Sequence, residues 1–321
     1  MIIITGAAGF IGSNFISKLN KEGIKDIVIV DDFSNKYKNR NIENKSFVDK
    51  IERNDFFNWI DKNWQQIDFI AHIGARTNTA ESDKSVFDKL NLGYSKYVWN
   101  YCVKYNIPLI YASSAATYGL GEFGFDDDHQ IVEKLKPLNL YGESKNNFDK
   151  WVLKQKTNPP FWIGLKFFNV YGPNEYHKNR MASVVYHTYN QIRETGKMKL
   201  FRSHNNNYKD GEQRRDFIYV KDITDVLYFF MNHKKDSGIY NLGTGQSRTF
   251  IDLANNAFQA TGKNEIIEFI DTPADIRDNY QYFTEARMNK LRSIGYSNEF
   301  TPIESGIEEY IKDYLVNTLY N

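Results

Sequence analysis

The chain has 321 residues, enough for one large domain or two lobes, and carries 41 lysines and arginines against 40 aspartates and glutamates. Its net charge of +1 gives no electrostatic reason to expect a nucleic acid or an anionic membrane as a partner. Cys102 is the only cysteine, and the 6 histidines show no ligand spacing, so neither an intramolecular disulfide nor a metal site is expected. No apolar run approaches the roughly 18 residues of a membrane span, and the chain starts directly on a strand, so we expect a cytoplasmic protein without a membrane partner.

The first half of the chain alternates short apolar runs of strand length with amphipathic stretches. The predicted strands are Ile2–Thr5, Ile27–Asp31, Phe69–Ile73, Leu109–Ser113 and Ile163–Phe168. The predicted helices are Phe10–Asn20, Ser85–Tyr105 and Ser144–Gln155. This alternation predicts an α/β fold: a Rossmann-type doubly wound parallel sheet with helices on both faces. Ligands bind at the strand ends of such sheets.

After Phe168 the pattern loosens, and we predict a smaller α/β substrate-binding lobe. The predicted loops are Asn169–Ala182 and Ser203–Gln213, the predicted helices Ser183–Thr195, Asp222–Asn232 and Phe250–Thr261, and the predicted strand Ile239–Leu242. Ile303, Ile307, Ile311 and Leu315 recur at helical spacing and indicate a closing helix. We therefore expect a cofactor-binding domain over residues 1–168, to which a segment near 215–245 returns, and a substrate-binding lobe built mainly from residues 169–321.

A glycine-rich turn joins the first predicted strand to the first predicted helix. Gly6 permits the tight turn, Gly9 lets the backbone approach a pyrophosphate, and Gly12 allows close packing of helix on strand. Three glycines at this spacing also occur in ordinary strand–helix turns. The strand before the turn, the helix after it and the acidic end of the next strand favour a dinucleotide site.

The end of the second strand leaves the choice of dinucleotide open. Asp31 and Asp32 could bond the ribose hydroxyls of NAD. The cations that follow, Lys36, Lys38, Arg40 and Arg53, could instead bind the 2′-phosphate of NADP, or they could belong to a solvated basic loop.

Hydroxyl and amino groups suited to alcohol oxidation follow further along. Ser114 directly follows the fourth predicted strand, where its hydroxyl could hydrogen-bond the reacting oxygen, although small hydroxyl residues also commonly end strands. Tyr141 and Lys145 are four residues apart and share a helix face. A phenol with an ordinary pKa of about 10 needs a neighbouring cation to act as a base at neutral pH. The set of tyrosine, lysine and nicotinamide indicates reversible oxidation of an alcohol.

These motifs resemble the extended short-chain dehydrogenase/reductase superfamily. The resemblance is carried by the turn Gly6–Gly12, the run Ser113–Gly119, the pair Tyr141 and Lys145, and Phe168–Pro173. Within the superfamily, nearly the whole chain resembles the ADP-L-glycero-D-manno-heptose 6-epimerase family. The narrower signals are Tyr111–Gly119, His177–Ser183 with His187, Arg215–Tyr219, and Tyr280–Thr284.

The resemblance implies a reaction, a cofactor and an assembly. That family interconverts the D,D and L,D forms of ADP-glycero-manno-heptose, a precursor of the lipopolysaccharide inner core, with a tightly held NADP. Hydride leaves C6″ and returns to the other face of the transient aldehyde, so two acid/base groups are needed. The family pattern assigns them to Tyr141 and Lys178 and makes Lys145 the residue that holds the nicotinamide ribose. It also implies a homo-oligomer, which is pentameric in well-known members.

The resemblance further implies which residues surround the ligands. The expected cofactor contacts are Gly6, Gly9, Phe10, Ile11, Gly12, Asp31, Asp32, Lys38, Arg53, Ile73, Gly74, Ala75, Arg76, Thr77, Asn91, Tyr141, Lys145, Val170 and Lys178. The expected substrate contacts are Ser114, Asn169, Arg180, His187, Phe201, Arg202, Ser203, His204, Arg215 and Tyr280, with Arg215 suited to bidentate phosphate binding.

Three departures from the family pattern concern the substrate. Arg180 replaces a small hydroxyl residue, Arg202–His204 replaces an acidic turn containing glycine, and residues 205–213 resemble an insertion. Lys178 could also bind a diphosphate oxygen instead of acting as a base.

Two other functions remain alternatives at this stage. A UDP-hexose 4-epimerase would use the same serine, tyrosine and lysine without needing Lys178 as a second base. A nonenzymatic NADP sensor is disfavoured because such proteins often lose the tyrosine or the lysine, and Tyr141 and Lys145 are both present.

Overall fold

The structure, a computed structural model, describes residues 1–277 and 280–321. Its strands are β1 (Ile2–Thr5), β2 (Ile27–Asp31), β3 (Asp49–Glu52), β4 (Phe69–His72), β5 (Leu109–Ser114), β6 (Trp162–Phe167), β7 (Asn169–Tyr171), β8 (Met198–Phe201), β9 (Arg214–Tyr219), β10 (Gly238–Leu242), β11 (Ser247–Thr249) and β12 (Ile267–Ile270). Its α-helices are α1 (Phe10–Lys21), α2 (Lys36–Asn39), α3 (Phe56–Asn63), α4 (Lys84–Phe87), α5 (Tyr94–Lys104), α6 (Leu140–Leu153), α7 (Val184–Thr195), α8 (Val220–Asn232), α9 (Phe250–Thr261), α10 (Ala274–Arg277), α11 (Asn289–Ser293) and α12 (Ile303–Glu309).

Seven parallel strands form the central sheet in the order β10-β6-β5-β4-β1-β2-β3. Alternate side chains of each strand point to opposite faces, and both faces are covered. Ile4 of β1 packs in one core with Phe15 of α1 and Leu227 of α8, whereas Ile3 packs in the other with Trp99 of α5 and Phe148 of α6. The predicted doubly wound α/β fold is confirmed. The carboxyl ends of β1 and β4 lie side by side where the strand order reverses, which is where such sheets bind ligands.

The second half of the chain adds two small sheets and a third core. β7 and β9 pair in parallel and β11 joins β9 antiparallel, while β8 pairs with β12. Tyr189 of α7, Phe258 of α9 and Ile307 of α12 share the third core. β10 pairs with β6 and so returns to the central sheet. The division at residue 168 stays a prediction.

Several predicted elements have different bounds in the structure. The helix predicted from Ser144 begins at Leu140, because the Asn139 side chain accepts a hydrogen bond from the Gly142 backbone and caps it. Tyr141 therefore lies in the first helical turn. The helix predicted over Ser85–Tyr105 contains a π-helical stretch at 88–93, between α4 and α5. The loop predicted over Asn169–Ala182 contains β7 and a 3₁₀ helix at 176–181, and a second π-helical stretch, 310–315, extends α12.

Some elements carry no signal that the sequence analysis detected. β3 is an edge strand of largely exposed residues, so it lacks the apolar run used to predict strands. β8, β9 and β12 are short or contain charged residues, which hides the alternation. Among the described residues, no helix is both long and apolar enough to cross a bilayer.

Candidate active site

The turn between β1 and α1 contains three glycines, two of which admit no side chain. Gly6 has a φ of +68°, and a Cβ there would lie 2.4 Å from the Cα of Gly74. A Cβ on Gly12 would lie 2.2 Å from the carbonyl oxygen of Gly6. Gly9 precedes Phe10, the first residue of α1, and offers no capping side chain. The positive end of α1 is therefore accessible, and it suits a pyrophosphate.

A cavity of about 770 Å³ extends from this turn along the carboxyl edge of the central sheet. Fifteen of the predicted cofactor residues line it: Gly6, Gly9, Phe10, Ile11, Gly12, Asp31, Asp32, Lys38, Arg53, Ile73, Gly74, Ala75, Arg76, Thr77 and Lys178. Arg180, predicted to contact substrate, lines it as well, and so do His72 and His177, which the sequence analysis did not select as ligand contacts. Asn91, Tyr141, Lys145 and Val170 lie outside this lining set.

Asn91 lies outside the cavity lining but hydrogen-bonds Arg76, which is part of it. It belongs to the π-helical stretch 88–93, a geometry that often occurs at functional sites. Its side chain accepts a hydrogen bond from the Arg76 backbone at 2.7 Å and donates to the Arg76 carbonyl at 3.0 Å. It also donates to the Ser144 hydroxyl at 2.9 Å, which ties the segment after β4 to α6.

Acidic and basic side chains are paired at the end of β2. Asp31 accepts hydrogen bonds from the Ala8 backbone at 2.9 Å and from Lys38 at 2.8 Å. Arg53 lies 3.4 Å from Asp32. Hydrogen bonds from Ser34 lower the pKa of Asp32, and Arg53 contributes in the same direction. Two carboxylates and two cations thus face the same end of the cavity, where they can contact a ribose or a 2′-phosphate.

His72, at the end of β4, is a buried neutral group beside the same cavity. Its ring nitrogens lie 2.6 Å from the Thr5 hydroxyl and 2.9 Å from the Ser95 hydroxyl. Burial lowers its pKa to about 3, and the charge of Lys145 acts in the same direction. The ring therefore carries no charge at neutral pH.

Tyr141 and Lys145 lie on successive turns of α6, close to the end of β5. The Lys145 ammonium is buried and donates to the Ala112 carbonyl at 2.7 Å. Burial lowers the pKa of Lys145 to about 8, against the opposing effect of Asp149. Burial raises the pKa of the Tyr141 phenol, and the Ser114 side chain opposes that rise. The positive charge of a bound nicotinamide would further favour the phenolate.

Lys178 projects from the 3₁₀ helix at 176–181 toward the glycine turn. Its ammonium lies 5.1 Å from the centre of the Phe10 ring, a cation–π arrangement. Burial lowers the pKa of Lys178, while Glu175 opposes the shift. Asn179, the next residue, has a φ of +49°, which asparagine tolerates better than most residues. Lys178 therefore lies in the cavity wall, and its pKa is shifted in the direction that favours a general base.

The remaining predicted substrate residues form two groups. In the first, Phe201 and Tyr280 contact edge to face at 6.1 Å, and the buried Arg215 guanidinium lies 5.6 Å from the Tyr280 ring centre. Burial lowers the pKa of Arg215 to about 10, still far above neutrality. Arg202, Ser203 and His204 follow Phe201 directly. In the second, the His187 ring lies 3.4 Å from the Arg180 carbonyl.

The segment 205–213 packs against the first group. Asp210 lies 3.0 Å from Arg202 and accepts from the Ser203 backbone at 2.8 Å. Tyr208 contacts Tyr282, with ring centres 5.3 Å apart. Tyr208 and Tyr282 were not selected from the sequence as site residues, because their contact joins segments that are far apart along the chain. Asp210 lies close in sequence to Arg202 and Ser203, but it was not selected either.

Asn169 belongs to neither group of predicted substrate residues. Its side chain donates to the carbonyl of Asp216, in β9, at 2.9 Å.

Comparison with known proteins agrees with this geometry. The sequence profile of the NAD dependent epimerase/dehydratase family matches residues 2–243. The chain belongs to this family. Membership in this family indicates a nicotinamide cofactor.

Relatives in the epimerase/dehydratase family are similar over nearly the whole chain. The ADP-L-glycero-D-manno-heptose-6-epimerase of Fusobacterium nucleatum is 50% identical, with 98% of each chain covered. The enzyme of the same name from Nitratidesulfovibrio vulgaris is 45% identical, again with 98% of each covered. The crystal structure of the Helicobacter pylori ADP-L-glycero-D-manno-heptose-6-epimerase is 26% identical, superimposes with a TM-score of 0.79, and covers 97% of this chain and 95% of that one. The family resemblance inferred from the motifs is confirmed.

Proposed function

We propose that this protein is a nucleotide-sugar epimerase that inverts C6″ of ADP-D-glycero-D-manno-heptose to give ADP-L-glycero-D-manno-heptose, for lipopolysaccharide core biosynthesis. The observation that carries the proposal is the presence of two separate acid/base candidates. Tyr141 lies beside Ser114 and Lys145, and Lys178 has a pKa lowered by burial. The names of the relatives support the same substrate.

Inversion at C6″ explains why two such groups are needed. A bound nicotinamide supplies a hydride acceptor and donor, so a redox-neutral cycle through an aldehyde at C6″ is possible. The C6″ oxygen occupies different positions before and after the aldehyde rotates. One group removes the hydroxyl proton in the first position, and the other returns a proton in the second.

The surroundings of the two groups suit these roles. Ser114 can donate a hydrogen bond to the sugar oxygen next to Tyr141. A hydrogen bond to the Ala112 carbonyl holds the Lys145 ammonium in place. The positive charge of Lys145 favours the Tyr141 phenolate. Lys178, whose pKa is lowered by burial, can take or give the second proton. The other predicted substrate residues, from Asn169 to Tyr280, would hold the sugar nucleotide.

We infer that the cofactor is NADP, with NAD as the alternative. Lys38 and Arg53 both line the cavity at the end of β2, and each can pair with a 2′-phosphate. Asp31 already accepts from Lys38, so a phosphate would share that lysine with the carboxylate. We also infer a cytoplasmic homo-oligomer, pentameric by its family resemblance.

Lys38→Met is expected to weaken NADP binding about 10- to 100-fold and NAD binding much less, because a charge-assisted hydrogen bond to phosphate is lost. Titration calorimetry with both oxidised cofactors measures the difference. Lys36→Met, two residues earlier in α2, is the matched control: Lys36 is absent from the cavity lining, so its replacement should leave both affinities unchanged. An equal loss for NADP and NAD in the Lys38 variant would contradict the assignment.

Proton NMR of the product decides the reaction. The protein, incubated with synthetic ADP-D-glycero-D-manno-heptose, is expected to give the L,D epimer with C6″ inverted and no net consumption of cofactor. An unchanged configuration at C6″, together with turnover of a UDP-hexose, would contradict the proposal and favour a 4-epimerase. Bound cofactor without turnover of any nucleotide sugar would indicate a sensor instead.

A further inference from the structure

A buried ion pair that the proposed mechanism does not use lies directly behind Tyr141 and Lys145. Asp149 is one helical turn after Lys145 in α6, and Lys166 is in β6. Their side chains are 0% exposed and approach to 2.7 Å. Removing two charges from water is costly, and a well-packed apolar pair is often at least as stable. The pair therefore needs an explanation beyond stability.

The pair connects the elements that carry the catalytic candidates. Asp149 accepts hydrogen bonds from the Tyr111 hydroxyl at 3.1 Å and the Ser113 hydroxyl at 2.7 Å, so α6 is held in register on β5. Lys166 donates to the Thr117 hydroxyl at 2.8 Å. Thr117 in turn donates to the Ser114 carbonyl at 2.8 Å. One continuous network thus joins β6, the turn after β5 and the helix of Tyr141.

The charges in this network also act on Lys145. Asp149 favours the ammonium of Lys145, whereas burial disfavours it and brings its pKa to about 8. The ring of His72, in β4, stays neutral because burial lowers its pKa to about 3, with the charge of Lys145 acting in the same direction. Asp149 is therefore the carboxylate that stabilises the protonated form of Lys145.

Other ionisable groups face the ion pair from the neighbouring elements. Burial and the Asp149 charge hold the pKa of Tyr111 well above its ordinary range. Burial holds the pKa of Tyr118 well above its range too, with the charges of Asp127 and then Asp149 acting in the same direction. His129, from the 3₁₀ helix at 129–134, has a pKa lowered to about 4, mainly by burial. These three groups stay uncharged near neutral pH, so their charges do not compete with Asp149 there.

Resting on the proposed function, we infer that Asp149 and Lys166 are positioning residues that keep Lys145 protonated and aligned with Tyr141 and Ser114. Asp149 supplies the charge that holds Lys145 as a cation. Lys166 forms the ion pair with Asp149 from β6, and its hydrogen bond to Thr117 holds the turn after β5 in place. Neither residue contacts the reacting atoms in this role.

The test compares Asp149→Asn, the double variant Asp149→Asn/Lys166→Met and the control Asp222→Asn. Asp222 is another buried carboxylate, in α8, that accepts from Thr301. Without Asp149 the pKa of Lys145 falls further, so less Lys145 is cationic at neutral pH and the pKa of Tyr141 rises. We expect the acidic limb of kcat to move up by about one pH unit or more, and kcat at pH 7 to fall about 10- to 100-fold with little change in KM.

The double variant separates this role from plain stability. Two neutral side chains remove the uncompensated charge, so thermal stability should recover, yet the shifted pH profile should remain. A second readout is NMR of ¹³Cζ-labelled tyrosine, in which Tyr141→Phe identifies the Tyr141 resonance and its titration gives the pKa directly. If Asp149→Asn does not fold, the double variant supplies both measurements.

The outcomes are distinct. A double variant with the pH profile and Tyr141 titration of the native protein would overturn the inference and leave a purely structural pair. The Asp222 variant should change stability alone. If the native protein acts on another nucleotide sugar, the proposed substrate fails, but the same profiles and titration measured with that sugar still decide the role of Asp149.

Discussion

Tyr141→Phe is expected to lower kcat about 10²- to 10⁴-fold, the range that a positioned acid/base group contributes. Phenylalanine keeps the ring and its packing in the first turn of α6 but cannot accept the hydroxyl proton of the substrate. Cofactor affinity should change far less, because the glycine turn and the residues at the end of β2 remain. Steady-state kinetics with ADP-D-glycero-D-manno-heptose, together with cofactor titration, measure both quantities.

The matched control is Tyr101→Phe, which removes a hydroxyl that donates to Asp61 at the surface at 3.0 Å. It should leave kcat unchanged. A Tyr141→Phe protein that epimerises at the native rate would show that the phenol takes no part in proton transfer.

Lys178→Met should abolish C6″ inversion, with a loss of about 10²- to 10⁴-fold, while the cofactor stays bound. Methionine keeps the contact with Phe10 and the packing of the 3₁₀ helix but cannot carry a proton. Because Tyr141 is intact, the variant should still exchange hydride with the substrate on one face. Deuterium transfer between C6″ and labelled cofactor, followed by NMR, separates oxidation from inversion.

Lys45→Met is the control for the loss of a half-buried lysine. Burial lowers the pKa of Lys45 to about 8 as well, but this residue is absent from the cavity lining. Its replacement should leave inversion intact. Normal epimerisation by Lys178→Met would mean that Lys178 binds a diphosphate oxygen and is not a base.

The local motifs were predictable because their chemistry lies within a few residues. The turn Gly6–Gly12 contains its own geometric requirements, and the spacing of Tyr141 and Lys145 places them on one helix face. The apolar runs of β1, β2, β4, β5 and β6 predicted a parallel sheet because both faces of that sheet are buried. The edge strand β3 was not predicted, because its residues are largely exposed and it therefore lacks an apolar run.

The sequence alone therefore determined the fold class, the glycine turn between β1 and α1, the shared helix face of Tyr141 and Lys145, and the family. Only the tertiary structure decided what these residues face. The contact of Lys178 with Phe10 and the ion pair of Asp149 with Lys166 join elements that are distant along the chain. Burial then sets their charges: desolvation lowers the pKa values of Lys145 and Lys178, and it depends on packing that no single segment of the sequence contains.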